Sequence, residues 1–106
     1  MYSVALLDLE LAIDHAQSLK QKRSVTKRIK ERLRNRYNVS VAEVDGQTVW
    51  NYANIAVVIV SNDRAYCHNT LTKISQTIEQ IGECRLIDYH IEFLDSWDEE
   101  EEEEGW

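Results

Sequence analysis

A chain of 106 residues, 43% hydrophobic and 29% charged, has the length and makeup of one small globular domain around a single core. No apolar run approaches the roughly 20 residues that span a bilayer. The start, MYSVALLDLELAID, has no basic leader and places Asp8 and Glu10 inside its apolar run, so a signal peptide is not expected and the cytoplasm is the expected location.

Tyr2 to Ile13 alternates, with Ala5, Leu7, Leu9, Leu11 and Ile13 on one side and Val4, Leu6, Asp8 and Glu10 on the other. Period two with one apolar side predicts a half-buried strand. Ser18 is the predicted N-cap of a helix from Leu19 to about Tyr37, whose core face is Val25, Ile29 and Leu33, with Asn38 as its stop. Val39 to Asp45 predicts a second, short strand. A loop of about eight residues follows from Gly46 and contains Trp50 and Tyr52. Asn54 to Ser61 is apolar throughout Ile55 to Val60, as a central strand covered at least partly on both faces would be. Asn62 or Asp63 then caps a second helix, on which Cys67, Leu71, Ile74, Ile78 and Ile81 form the apolar stripe and which Gly82 closes. Arg85 to Leu94 alternates again, with Ile87, Tyr89, Ile91 and Phe93 opposed to Asp88, His90 and Glu92.

The order β-α-β-β-α-β predicts an α+β fold of the ferredoxin-like split βαβ type. It is a sandwich of a four-stranded sheet with two helices on one face, strands one and three central and two and four at the edges. Residues 1–94 form this single domain, and 95–106 an acidic tail that composition predicts to be disordered. The order also sets Cys67 and Cys84 at opposite ends of the second helix, about 22 Å apart along its axis. A disulfide needs Cα atoms within about 7 Å, so free thiols are expected, Cys67 as a core residue.

Several motifs resemble one family. The helix start at Ser18, Leu19, Lys20, Lys22 and Arg23, then NVSVAEVD from Asn38 to Asp45, Trp50, and VSND from Val60 to Asp63 are similar to the YlxP-like proteins, a bacterial domain of unknown function. The resemblance covers roughly residues 1–94 and implies a ferredoxin-like fold. Genes of that family often lie beside those for transcription-elongation and translation-initiation factors, which implies a role linked to RNA or the ribosome. The acidic tail lies outside the resemblance.

Charge is distributed unevenly. The segment Ser18–Asn38 holds nine of the twelve Lys and Arg residues and only one acid, Glu31. From Asp95 onward there are eight acids and no base, so without that tail the net charge of −7 becomes +1 (twelve bases against eleven acids). On a wheel at about 100° per residue with Ile29 at the core centre, Lys20, Arg23, Lys27, Lys30 and Arg34 fall between roughly 100° and 180° away. They form an outward stripe about 21 Å long, long enough to follow several phosphates, each contact adding salt-dependent affinity by counterion release. Lys20 and Lys22 also stand in the first helical turn, where the helix dipole disfavours cations by a few tenths of a kcal/mol. Lys22 points at the core centre, so it is expected to snorkel or pair with a carboxylate and is left out of the stripe. The bland alternative is a solvated helix face.

The expected function is therefore non-catalytic binding of structured RNA or the ribosome through Lys20, Arg23, Lys27, Lys30 and Arg34. The alternative is a protein-interaction or oligomeric module that uses the open sheet face, or docks an acidic partner on the helix. Strand three supports that alternative, since Ala56, Val58 and Val60, or else Ile55, Val57 and Ile59, face away from the helices; Leu6 and Val44 could join them, and Trp50 and Tyr52 could cover them. RNA-recognition motifs with this topology stack bases on sheet aromatics, but here Asp8, Glu10, Asp88 and Glu92 surround His90, and carboxylates repel phosphate. That group is read as the wet side of a sheet rather than a metal or acid–base site. His15 and His68 have no ligand-like spacing, and no P-loop, HExxH, GxSxG or Cys/His metal spacing occurs. No cofactor, metal or membrane partner is expected; a homodimer is a possible assembly. A sharper expectation for the tail is that it folds back on the basic helix and competes with nucleic acid.

Overall fold

The computed structural model describes residues 1–95. Its elements are β1 (Ser3–Ala12), α1 (Leu19–Arg36), β2 (Ser40–Asp45), β3 (Tyr52–Ser61), α2 (Arg64–Glu79) and β4 (Arg85–Phe93). The strands form one sheet in the order β2-β3-β1-β4, with every neighbouring pair antiparallel. This is the expected ferredoxin-like α+β arrangement, with β1 and β3 in the centre. The acidic run lies beyond residue 95, outside the described residues.

Alternation along the strands decides which face the helices cover. Ala5, Leu7, Leu9 and Leu11 of β1 and Ala53, Ile55, Val57 and Ile59 of β3 are buried on one side of the sheet. Val25, Ile29 and Leu33 of α1 and Cys67, Leu71, Ile74 and Ile78 of α2 close over them. Each such aliphatic side chain contributes about 1.5–3 kcal/mol when withdrawn from water, so this layer dominates the stability. The Tyr37 hydroxyl and Thr77 Oγ1, 3.0 Å apart, link the end of α1 to α2 across the top of the core.

The helix starts agree with their capping chemistry. Ser18 Oγ accepts from the Gln21 amide at 3.1 Å, while Gln21 Oε1 accepts from the Gln17 amide at 2.6 Å. This is a variant of the capping box, with the reciprocal bond landing one residue earlier than usual. Asp63 caps α2 by accepting from the Tyr66 amide at 3.1 Å.

Tyr52 begins β3 instead of lying in the loop after Gly46, and three further details differ from the sequence reading. Helix α1 ends on Tyr37 in extended conformation (φ −130°) rather than on a left-handed Asn38, its amide still bonding to the Leu33 carbonyl. Helix α2 stops at Glu79, so Gly82 belongs to the following turn and does not close it. The third difference is in β4. Tyr89, Ile91 and Phe93 do stand opposite Leu9, Leu7 and Ala5 on the helix side, but the register shifts between Glu10 and Leu11. A bulge adds one residue to β4 and reverses its alternation, so Leu86 takes the place opposite Leu11 and Ile87 is left 51% exposed.

Candidate nucleic-acid interface

The rotation of α1 sets the whole surface. Val25, Ile29 and Leu33, four residues apart, lie against the sheet, and Lys22 continues that seam into the first turn. Its side chain is fully buried. Lys22 Nζ lies 2.6 Å from Glu43 Oε2 and donates to the Gly46 carbonyl at 2.5 Å. Glu43 meets it because β2 pairs with β3 so that Val41 faces Val57 and Glu43 faces Ile55, on the helix side of the sheet. Gly46 presents its carbonyl from a left-handed conformation (φ 77°), and a side chain there would also run into the Tyr52 ring, 2.7 Å from the Cβ position. Lys22 thus pairs with a carboxylate as expected and belongs to the structure rather than to the stripe.

With Lys22 turned inward, the stripe turns outward. Lys20, Arg23, Lys27 and Arg34 are exposed and Lys30 is half-buried. Arg34 Nη2 donates to the Val41 carbonyl at 2.7 Å, which places this flank of α1 alongside the edge strand β2. On the other flank Arg28 forms a forked ion pair with Glu83, in the turn between α2 and β4. Each partner stabilises the other's charge through that hydrogen bond, holding the Glu83 carboxyl below its usual range and the Arg28 guanidinium above its own.

The distribution of ion pairs is selective. Lys22 pairs with Glu43, Arg28 with Glu83, Arg64 with Asp95 and Arg85 with Asp14. All four cations lie outside the stripe. Among the described residues, none of Lys20, Arg23, Lys27, Lys30 and Arg34 reaches a carboxylate. The stripe is therefore a row of charges about 21 Å long that the described fold leaves uncompensated.

The open sheet face has a different character. Asp8 stands opposite His90, Glu10 opposite Asp88, and Leu6 opposite Glu92. The carboxylates of β1 bond sideways to β3: Asn54 Nδ2 donates to Asp8, and the Tyr52 hydroxyl donates to Glu10 Oε1 at 2.8 Å. Among the described residues no group of three or more His, Cys, Asp or Glu converges as metal ligands. Ala56, Val58 and Val60 are the open-face set of β3, beside Leu6 and Val4. Tyr52 begins β3, at the far end from Val60, and Trp50 before it remains 46% exposed, so neither covers Val60, which is 63% exposed.

Both thiols are free; Cys67 lies in the core and Cys84 at its margin. Burial raises both, Cys84 to about 11, so they remain protonated thiols near neutrality and are weak nucleophiles.

The bond to Glu10 pushes the Tyr52 phenol up to about 12. A group whose folded pKa is raised favours folding at full strength below its unfolded value, here about 10, and loses that contribution as pH rises toward 12. Absorbance titration at 295 nm is expected to show one late tyrosine that Tyr52→Phe removes. An unchanged titration in that variant would count against the bond.

Sequence reasoning missed the Tyr52 and Asn54 bonds and the tether from Arg34 to β2. All three depend on strand register, which no local spacing encodes.

A family model described as "Protein of unknown function (DUF503)" matches residues 4–91. The "Uncharacterized protein YlxP" of Bacillus subtilis (strain 168) is 32% identical over 80 residues, covering 76% of this chain and 87% of that protein. Among solved structures, the "De novo designed protein Foldit4" aligns with a TM-score of 0.49 and 15% identity over 86% of this chain and 96% of its own.

Proposed function

The chain belongs to the DUF503 family, whose description names no activity, and we propose from its surface that it is a non-catalytic cytoplasmic module that binds structured RNA or the ribosome through α1. One observation carries the reading: Lys20, Arg23, Lys27, Lys30 and Arg34 share a flank on which no described carboxylate neutralises them, whereas four other cations of the chain are paired. Side chains at i, i+3, i+7, i+10 and i+14 along a helix suit a phosphate backbone that passes obliquely over it. The contacts are to phosphate, so they supply affinity and orientation without reading bases. The acidic half of the open sheet face, Asp8, Glu10, Asp88 and Glu92, repels phosphate and directs nucleic acid to the helix layer.

The test is a salt titration. RNA or ribosomal-subunit binding is expected at 50 mM salt, and five phosphate contacts give log K falling with log salt at a slope of about −3.5 to −4.5. Absence of binding at 50 mM, or binding insensitive to salt, overturns the reading.

A second reading, a protein-interaction or oligomeric module, rests on Val60, an apolar side chain 63% exposed on the open face, with half-buried Val58 beside it. Sedimentation of the free protein separates the two: a dimer that survives nuclease treatment and 500 mM salt supports this one.

A further inference from the structure

We infer that the basic stripe of α1 is the docking surface for the chain's own acidic segment, Asp98–Glu104, which competes there with nucleic acid. The docking stands on charge and reach alone; the competition rests on the RNA reading above. Asp98–Glu104 is seven consecutive acids, and the only comparable run of positive charge in the chain is the one on α1. A tethered segment acts at an effective concentration on the order of millimolar, which favours it over a separate acidic partner of equal charge.

Position makes the match specific. Asp95 is the last described residue and is held firmly: its side chain is 1% exposed, Oδ1 accepts from the Val4 amide at 3.2 Å, and Oδ2 pairs with Arg64 at 3.2 Å. The segment therefore departs from a fixed point. Val4 stands opposite Val60, and the Leu94 amide donates to the Val4 carbonyl, so the departure point lies at the Val60 end of the sheet. Arg34 lies at that same end, since Arg34, Asn38, Val58 and Val60 line one groove.

From β4 to β2 is three strand spacings, about 14 Å, and from Arg34 to Lys27 is about 10 Å along the helix. The acids at 98–104 stand three to nine residues beyond Asp95, a span of about 10–30 Å when extended. Their reach covers Arg34, Lys30 and Lys27 with slack to climb onto the helix layer. Lys20, about 21 Å beyond Arg34, lies at or past its limit. The segment accordingly blocks the C-terminal half of the stripe.

The experiment uses the full chain and a full-length variant with Asp98→Asn and Glu99, Glu100, Glu101, Glu102, Glu103 and Glu104 each changed to Gln. Zero-length carbodiimide coupling joins carboxylates to lysine amines, and mass spectrometry of mixed isotope-labelled and unlabelled protein distinguishes links within a chain from links between chains. The expected result is intrachain links from 98–104 to Lys27 and Lys30, lost at 1 M salt, where charges beyond about 3 Å are screened. The neutralised variant is expected to bind RNA about tenfold more tightly at 50 mM salt, the scale of a tethered competitor. Links spread evenly over Lys20, Lys27, Lys30, Lys73 and the N-terminal amine, or found only between chains, overturn the docking. Links at Lys27 and Lys30 with equal RNA affinity in both proteins overturn the competition. If the links appear and neither protein binds RNA, the RNA reading fails while the docking stands. If the links are absent and both bind RNA equally, the reverse holds.

Discussion

Replacing Lys22 with Met is expected to destabilise the fold by about 3–5 kcal/mol, the usual cost of removing one partner from a buried ion pair. Against a typical total of 5–15 kcal/mol for a domain this is a large fraction, and at about 4–8 °C per kcal/mol it lowers the melting temperature by roughly 12–40 °C. The size follows from what remains. Glu43 Oε2 is buried and has no hydrogen bond of its own, so the Lys22 ammonium is its compensation. The same ammonium bonds the Gly46 carbonyl, and the methyl end of Met cannot. The double variant Lys22→Met with Glu43→Leu removes both charges and is expected to recover most of the loss, because an apolar pair of similar volume replaces a buried ion pair at little cost. Chemical denaturation of the three proteins checks both statements. A single variant within about 1 kcal/mol of the parent, or a double variant no better than the single, would show that water rather than Lys22 solvates Glu43.

That ion pair also shows where legibility in the sequence ends. The inward direction of Lys22 follows from its angle to Val25, Ile29 and Leu33 on one helix, and helical angles are local. Its partner does not follow, because Glu43 lies on a six-residue strand whose facing direction depends on pairing with β3. β1 and the two helices were legible for the same reason as Lys22: ten to eighteen residues repeat a period with few exceptions. Ile87 departs from the alternation of β4 because a bulge is a property of two strands together, and the run from Arg85 to Phe93 alternates as if none were present. The candidate site was largely readable because five cations spaced along one helix need only its geometry. The tether from Arg34 to Val41 was not, since it links the helix to the edge of a strand whose register the sequence does not state. That bond makes Arg34 a poorer probe of binding than its four neighbours.

Changing Lys20, Arg23, Lys27 and Lys30 together to Glu is accordingly the decisive test of the surface, and RNA affinity is expected to fall by at least about a thousandfold at 50 mM salt. A basic side chain near an anionic surface contributes roughly 1 kcal/mol; four of them give about 4 kcal/mol, or three decades, before the repulsion of the new carboxylates is added. The salt slope is expected to shrink with the lost contacts, leaving that of Arg34. Stability is expected to move the other way or stay constant. None of the four side chains pairs with a described carboxylate, and surface changes of this kind stay within about 0.5 kcal/mol each. Lys20→Glu even gains a few tenths of a kcal/mol, because it exchanges an unfavourable charge for a favourable one at the N-terminus of α1. Lys73→Glu, an exposed change of the same sign on α2, is expected to cost only a few-fold in affinity and serves as the control for net charge. A purely solvated helix face would show no affinity to lose, and a stripe that holds the fold together would lower the melting temperature in step with binding. Binding that collapses while the melting temperature holds or rises assigns the four cations to a ligand. Lys20 in particular would then be retained against the preference of its own helix, for the sake of what it binds.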